Sequence, residues 1–104
     1  MDAPARLTIS RTSERDAQQR QIFVTLDGKE MGDLVFGETL SREISPGPHT
    51  LKANNTMVWK TVKFDAAPGE EIRFTATNYS GKGFLTFMLF VGVAPLYLSL
   101  ERDV

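Results

Sequence analysis

The sequence predicts an all-β fold, an antiparallel β-sandwich of about seven or eight strands, and two observations carry that expectation. Apolar and polar residues alternate with a period of two in one segment after another, the mark of strands with one face in a core and one in water. Turn signals separate those segments at the short spacing of all-β domains. The 104 residues fit a single domain over 1–104, because domains most often run to about 100–150 residues.

Leu7 and Ile9 alternate with Arg6, Thr8 and Ser10, giving a first strand over 5–11. Residues 11–20 then carry Arg11, Glu14, Arg15, Asp16 and Arg20 with no core candidate larger than Ala17, and read as a charged, solvated loop. Ile22, Val24 and Leu26 resume the alternation over 21–26 and run into Asp27-Gly28, a dipeptide that tolerates the positive φ of tight hairpins. Met31, Leu34 and Val35, interrupted by Gly32 and Asp33, predict a short or bulged strand ending at Gly37. Leu40 and Ile44 form the next strand, which breaks at Ser45-Pro46-Gly47-Pro48 because prolines remove ladder donors. His49, Leu51 and Ala53 share one face of the strand after it, and Asn54-Asn55 closes it. Over 57–64, Val58, Val62 and Phe64 are assigned to the core, and Met57, Trp59, Thr61 and Lys63 to the outside. After Pro68-Gly69, Ile72, Phe74 and Ala76 alternate with Arg73, Thr75 and Thr77.

The last fifth of the chain departs from this pattern. Residues 83–100 are eighteen consecutive uncharged residues, a length at the lower threshold for a membrane-spanning helix. Gly92 and Pro95 interrupt the run, and Leu96, Leu98 and Leu100 alternate with Tyr97 and Ser99. The preferred division is a last strand over 96–102 preceded by a hydrophobic insert over 84–94, which is a buried strand or a short helix. Were the insert exposed, Phe84, Phe87, Met88 and Phe90 would form a patch of the size that marks a partner or membrane contact.

Between Phe23 and Phe74 the chain carries a set of familiar residues. Phe23-Val24-Thr25-Leu26-Asp27-Gly28-Lys29-Glu30-Met31-Gly32 is followed by Leu40, Ile44, Ser45-Pro46-Gly47 and His49-Thr50-Leu51-Lys52, with Phe64-Asp65 and Gly69-Glu70 beyond. These segments resemble the PEGA domains and related small β-sandwich proteins of bacteria, over about half of the chain. The shared residues are turn glycines, a turn proline and core alternants, so the resemblance implies a fold, an appended interaction module and no enzymatic activity. It transfers no active site. The chain departs from the PEGA pattern before the Asp27-Gly28 hairpin and in the apolar run from Phe84.

Composition narrows the function classes. Twelve Lys and Arg against thirteen Asp and Glu leave a net charge of −1, which gives no field to attract nucleic acid. With no Cys and one His, neither a disulfide framework nor a metal site is expected, and no cofactor motif is present. The first twenty residues are rich in charge and hold no apolar run of signal-peptide length, so a cytoplasmic location is expected, with membrane association through the apolar segment as its variant. His49, the single imidazole, follows the Pro46-Gly47-Pro48 turn on a core-facing register; a ring that packs there and hydrogen-bonds the turn explains it better than catalysis, and no catalytic residue is assigned. Trp59, flanked by Lys60 and outward on its strand, is the best candidate for a ligand or partner contact. The expected function is therefore a non-enzymatic protein-interaction or scaffolding module, self-associating or binding a protein partner through Trp59, Phe84, Phe87, Met88 and Phe90. The alternatives are membrane attachment through 84–100 and glycan binding through Trp59 and Tyr79.

Overall fold

The computed structural model describes residues 3–14, 16, 21–56, 58–80 and 96–103, and within them eight strands form two four-stranded sheets. The strands are β1 (Ala5–Ser10), β2 (Ile22–Leu26), β3 (Lys29–Leu34), β4 (Thr39–Ile44), β5 (Gly47–Asn54), β6 (Trp59–Ala66), β7 (Glu71–Ser80) and β8 (Leu96–Arg102). One sheet has the order β4-β1-β7-β8 and the other β3-β2-β5-β6, and they pack as a β-sandwich. The period of two in the sequence decides which side chains meet between them. Leu7, Ile9 and Phe74 of the first sheet join Val24, Leu51 and Phe64 of the second in one buried cluster. Full burial of each such side chain contributes about 1.5–3 kcal/mol, which holds the sheets together with no covalent link.

The chain reverses at every connection, so odd-numbered strands all run one way and even-numbered strands the other. Five of the six hydrogen-bonded strand pairs join an odd strand to an even one and are antiparallel, but β1 and β7 are both odd and pair in parallel, with Leu7 opposite Ile72 and Ile9 opposite Phe74. The β-sandwich expected from the sequence is present, and this one parallel pair is an addition to its antiparallel pattern. Short turns fix the direction of successive strands only, and β1 meets β7 across two thirds of the sequence.

Asp27 (φ 51°) and Gly28 (φ 82°) both lie at positive φ, the geometry of the two-residue hairpin turn that joins β2 to β3. The register of that hairpin shifts between Val24 and Thr25, leaving Met31 as an extra residue on β3. Next to it Gly32 has φ 148°, and a Cβ there would lie 3.1 Å from the Leu40 side chain. Gly32→Ala is expected to lower stability by about 1 kcal/mol or more, read as a fall in the urea midpoint; an unchanged midpoint would mean that the bulge relaxes freely. The strand then stops at Leu34, not at Gly37, and Val35 and Phe36 pass into the turn. β5 in turn begins inside the expected proline break, at Gly47. Pro48 is tolerated there because β2 pairs only with 51–54 of β5, so its missing N–H interrupts no ladder on that side.

Candidate functional site

Strict reversal of direction gives the sandwich two chemically distinct ends. At one end lie the short connections 27–28, 45–46 and 67–70; at the other lie the strand ends that bound the connections 11–21, 35–38, 55–58 and 81–95. Long connections on a rigid sandwich are where binding residues concentrate, since sequence there is free of the strand pattern.

The end with the long connections carries all the exposed large hydrophobic residues among those described: Trp59 (59% exposed), Val35 (45%) and Phe36 (36%). Trp59 is the first residue of β6 and stands opposite Asn54, which stands opposite Phe23 on β2. Phe23 and Trp59 are thus two strands apart on the outer face, about 10 Å at the usual strand spacing. Beside this row a shallow hollow of about 260 Å³ is lined by Gln21, Phe23, Asn55 and Thr56. β7 and β8 pair up to Ser80 opposite Leu96, so the apolar connection 81–95 leaves and re-enters the sandwich at this same end. Phe84, Phe87, Met88 and Phe90 lie outside the described residues, as does the insert 84–94. Of the two residues of the expected glycan site, Trp59 belongs to β6 in one sheet and Tyr79 to β7 in the other.

Beneath that end is a buried polar network that the sequence reading placed in solvent. Arg11 is fully buried and Asp16 is 6% exposed. The Arg11 guanidinium meets Asp16 in a two-pronged pair, Nε to Oδ2 at 2.9 Å and Nη2 to Oδ1 at 3.1 Å, and Nη1 donates to the Leu34 carbonyl at 2.9 Å. Asp16 Oδ2 also accepts the Asn78 backbone N–H at 3.2 Å, and Asn55 Nδ2 donates to Asn78 Oδ1 at 2.9 Å. Val58 N–H donates to Asn55 Oδ1 at 2.8 Å. The charged loop 11–20 is therefore corrected: at Arg11 and Asp16 it dives into the fold, where charges persist because each has a fixed partner of opposite sign. This network fastens the root of every long connection to the sandwich.

At the opposite end the chemistry is ionic. His49 Nδ1 lies 2.6 Å from Asp27 Oδ2, and His49 Nε2 lies 2.6 Å from the Ser45 carbonyl oxygen. Asp27 Oδ1 accepts the Thr50 N–H at 2.8 Å. The ring stacks on Phe64 at a centroid distance of 5.6 Å. A hollow of about 460 Å³ beside it is lined in part by Asp27, His49, Lys63 and Asp65. The Ser45 carbonyl raises the His49 pKa above its ordinary 6.5, burial opposes this, and Asp27 and Asp65 add to the rise. The Thr50 N–H lowers the Asp27 pKa below 3.8, helped by the hydrogen bond to His49. Both ring nitrogens face acceptors, an arrangement fully satisfied when the ring carries two protons. A general base needs a free nitrogen, and here neither is free.

No group of His, Asp and Glu suited to a metal ion occurs among the described residues. No helix among them is long and apolar enough to cross a membrane. No protein-family model, curated protein or solved structure matches the chain. Of the residues singled out from sequence, Trp59 is exposed. Val35 and Phe36 were read as strand residues, and the sequence signal that places them at the surface is Gly37, whose φ of 94° makes a tight turn there.

Proposed function

We propose that this chain is a non-enzymatic association module that binds a protein partner, with a second copy of itself the partner most directly testable, through the end of the sandwich bearing Trp59. The observation that carries this reading is the exposure of Trp59 at the β6 edge and of Val35 and Phe36 beyond the β3 edge of one sheet, all at the end where β7 stops and β8 starts. Large aromatics exposed on a rigid scaffold are the usual anchors of protein interfaces, because each removes much apolar area from water at little entropic cost. Phe84, Phe87, Met88 and Phe90 belong to the connection that follows β7 in the sequence. The engaged state of the only imidazole supports a binding role over an enzymatic one. The motif resemblance to PEGA domains supports the same class of function.

Sedimentation velocity over a concentration series tests the proposal. The wild type is expected to associate, and Trp59→Ala and Phe87→Asp to weaken association about tenfold or more each, with far-UV circular dichroism unchanged. Unfolding of Phe87→Asp alongside unaltered association of Trp59→Ala would assign both residues other roles. Flotation of the wild type with phosphatidylcholine vesicles, lost in Phe87→Asp, would replace the protein partner by a lipid surface.

A further inference from the structure

A four-stranded sheet has two open edges, and an open edge is a template for pairing unless something blocks it. Three of the four edges here carry such a block. On β4, Arg42 stands opposite Leu7 in the core-facing register, remains exposed, and donates from Nη2 to the Met31 carbonyl at 3.3 Å. That same bond occupies an edge carbonyl of β3, whose ladder is already bent by the bulge at Met31 and by Gly32. On β6, Lys60 stands opposite Ala53 in the core-facing register and is exposed. An inward-register cation on an edge strand opposes strand addition, because pairing would bury it.

β8 differs. It is seven residues long, its pairing with β7 runs without a register shift from Arg102 to Leu96, and it contains no Gly, Pro or Lys. Its core-side residues Leu98 and Leu100 are buried, and its one core-register charge, Arg102, sits at the last position, held by Glu70 at 3.0 Å. Among the described residues β8 pairs only with β7.

The strand is also self-complementary. When it is laid antiparallel on a second copy of itself, one register uses all seven residues, and it sets Ser99 opposite Ser99. Position 98 then pairs with 100, 97 with 101 and 96 with 102, so no two like-charged residues fall opposite each other. We infer that two copies of the chain pair through β8 about a two-fold axis at Ser99, joining their β4-β1-β7-β8 sheets into one continuous sheet. An interface of this kind is isologous and closed, which limits the assembly to a dimer. The inference rests on the self-association reading above and gives the pair its geometry: β8 begins at the end that carries Trp59, so strand pairing and the apolar contact lie side by side.

Charge reversal at the axis tests this. Ser99→Lys and Ser99→Glu each place like charges directly opposite in the dimer, while in the monomer the position is partly exposed and accepts either. Each variant alone is expected to weaken dimerisation about tenfold or more, and an equimolar mixture of the two to restore it. Because the chain has no Cys, Ser99→Cys provides a second reading. Residues directly opposite across an antiparallel pair lie about 4.5–5.5 Å apart at Cα, within disulfide reach, so mild oxidation is expected to cross-link this variant rapidly and a Ser41→Cys control on β4 slowly. A wild type that stays monomeric, charge variants that dimerise like the wild type, or equal cross-linking at 99 and 41 would overturn the inference. Association lost in Trp59→Ala but kept in both charge variants would overturn β8 pairing while leaving the tryptophan-end reading in place.

Discussion

Replacing Arg11 with Ala is expected to cost about 3–5 kcal/mol of folding stability, the largest effect of any single substitution in the described part of the molecule. The reason lies in what the change leaves behind. Asp16 is 6% exposed, and its carboxylate is satisfied by the Arg11 guanidinium and the Asn78 N–H. Without the guanidinium a buried anion loses its counter-charge, and the Leu34 carbonyl loses a donor at the end of β3. A domain of this size has about 5–15 kcal/mol in total, so the variant sits near the edge of folding. Asp16→Ala is expected to cost a similar amount, for the mirror-image reason. The double replacement Arg11→Met with Asp16→Leu removes both charges at once and is expected to cost clearly less than the two single changes added together. Urea midpoints of the four proteins decide the matter. Single costs below about 1 kcal/mol would show that the pair behaves as a solvated one.

That pair also marks where sequence reading stops. Arg11 and Asp16 look like any surface charges in a segment with Glu14 and Arg15 beside them, since periodicity reports faces of strands and says nothing about a side chain that turns back under a sheet. Their partners, Leu34 and Asn78, are 23 and 62 residues away along the chain. The strands themselves were legible because each carries its own evidence: alternation in Ile22, Val24 and Leu26, or in Ile72, Phe74 and Ala76, needs no distant partner to be recognised. The Asp27-Gly28 hairpin was legible for the same local reason, and β8 over 96–102 was found by the alternation of Leu98 and Leu100 inside an otherwise uniform apolar run. The parallel pairing of β1 with β7 was invisible, because it follows from the parity of strand number and from which strands meet. Trp59 could be placed outward from its strand register alone, whereas Val35 and Phe36 were assigned to a strand that the turn at Gly37 cuts short. That they share an end of the sandwich with Trp59, across the width of one sheet, is a property of topology.

The stability of the protein is expected to peak on the acid side of neutrality and to fall as the pH rises past the His49 pKa. In the folded state the protonated ring can donate to two acceptors, Asp27 and the Ser45 carbonyl, and the Ser45 bond is the first cause of its raised pKa. A group whose pKa is higher folded than unfolded binds its proton more tightly in the folded state, so its contribution is complete below the unfolded value of about 6.5 and is lost as the pH climbs through the folded value. Asp27 works in the opposite sense. Its pKa is lowered, first by the Thr50 N–H and then by His49, so its contribution is present above about 3.8 and is lost as the pH falls through the depressed value. The two limits leave a window between roughly pH 4 and 6.5 in which the clamp is complete. Other charges facing the ring are Asp65, which favours the imidazolium, and Lys63, which lines the same hollow. Because Asp27 is nearly half exposed and solvent screens it, the alkaline fall is set chiefly by the buried ring and the Ser45 carbonyl. His49→Leu keeps apolar bulk against Phe64 but removes both donors, and is expected to cost about 2 kcal/mol at pH 6 and to flatten the alkaline limb. Urea midpoints from about pH 5 to 9 for both proteins test this, with nitrogen chemical shifts of the imidazole as the direct check that both ring nitrogens are protonated. A wild-type profile that is level across that range, or a neutral ring at pH 6, would show that the two short contacts are not both hydrogen bonds from His49. The consequence extends beyond stability. The clamp ties the β2–β3 turn to the start of β5, whose last residue, Asn54, stands opposite Trp59 on β6, so the His49 proton bears on the strand next to the proposed contact.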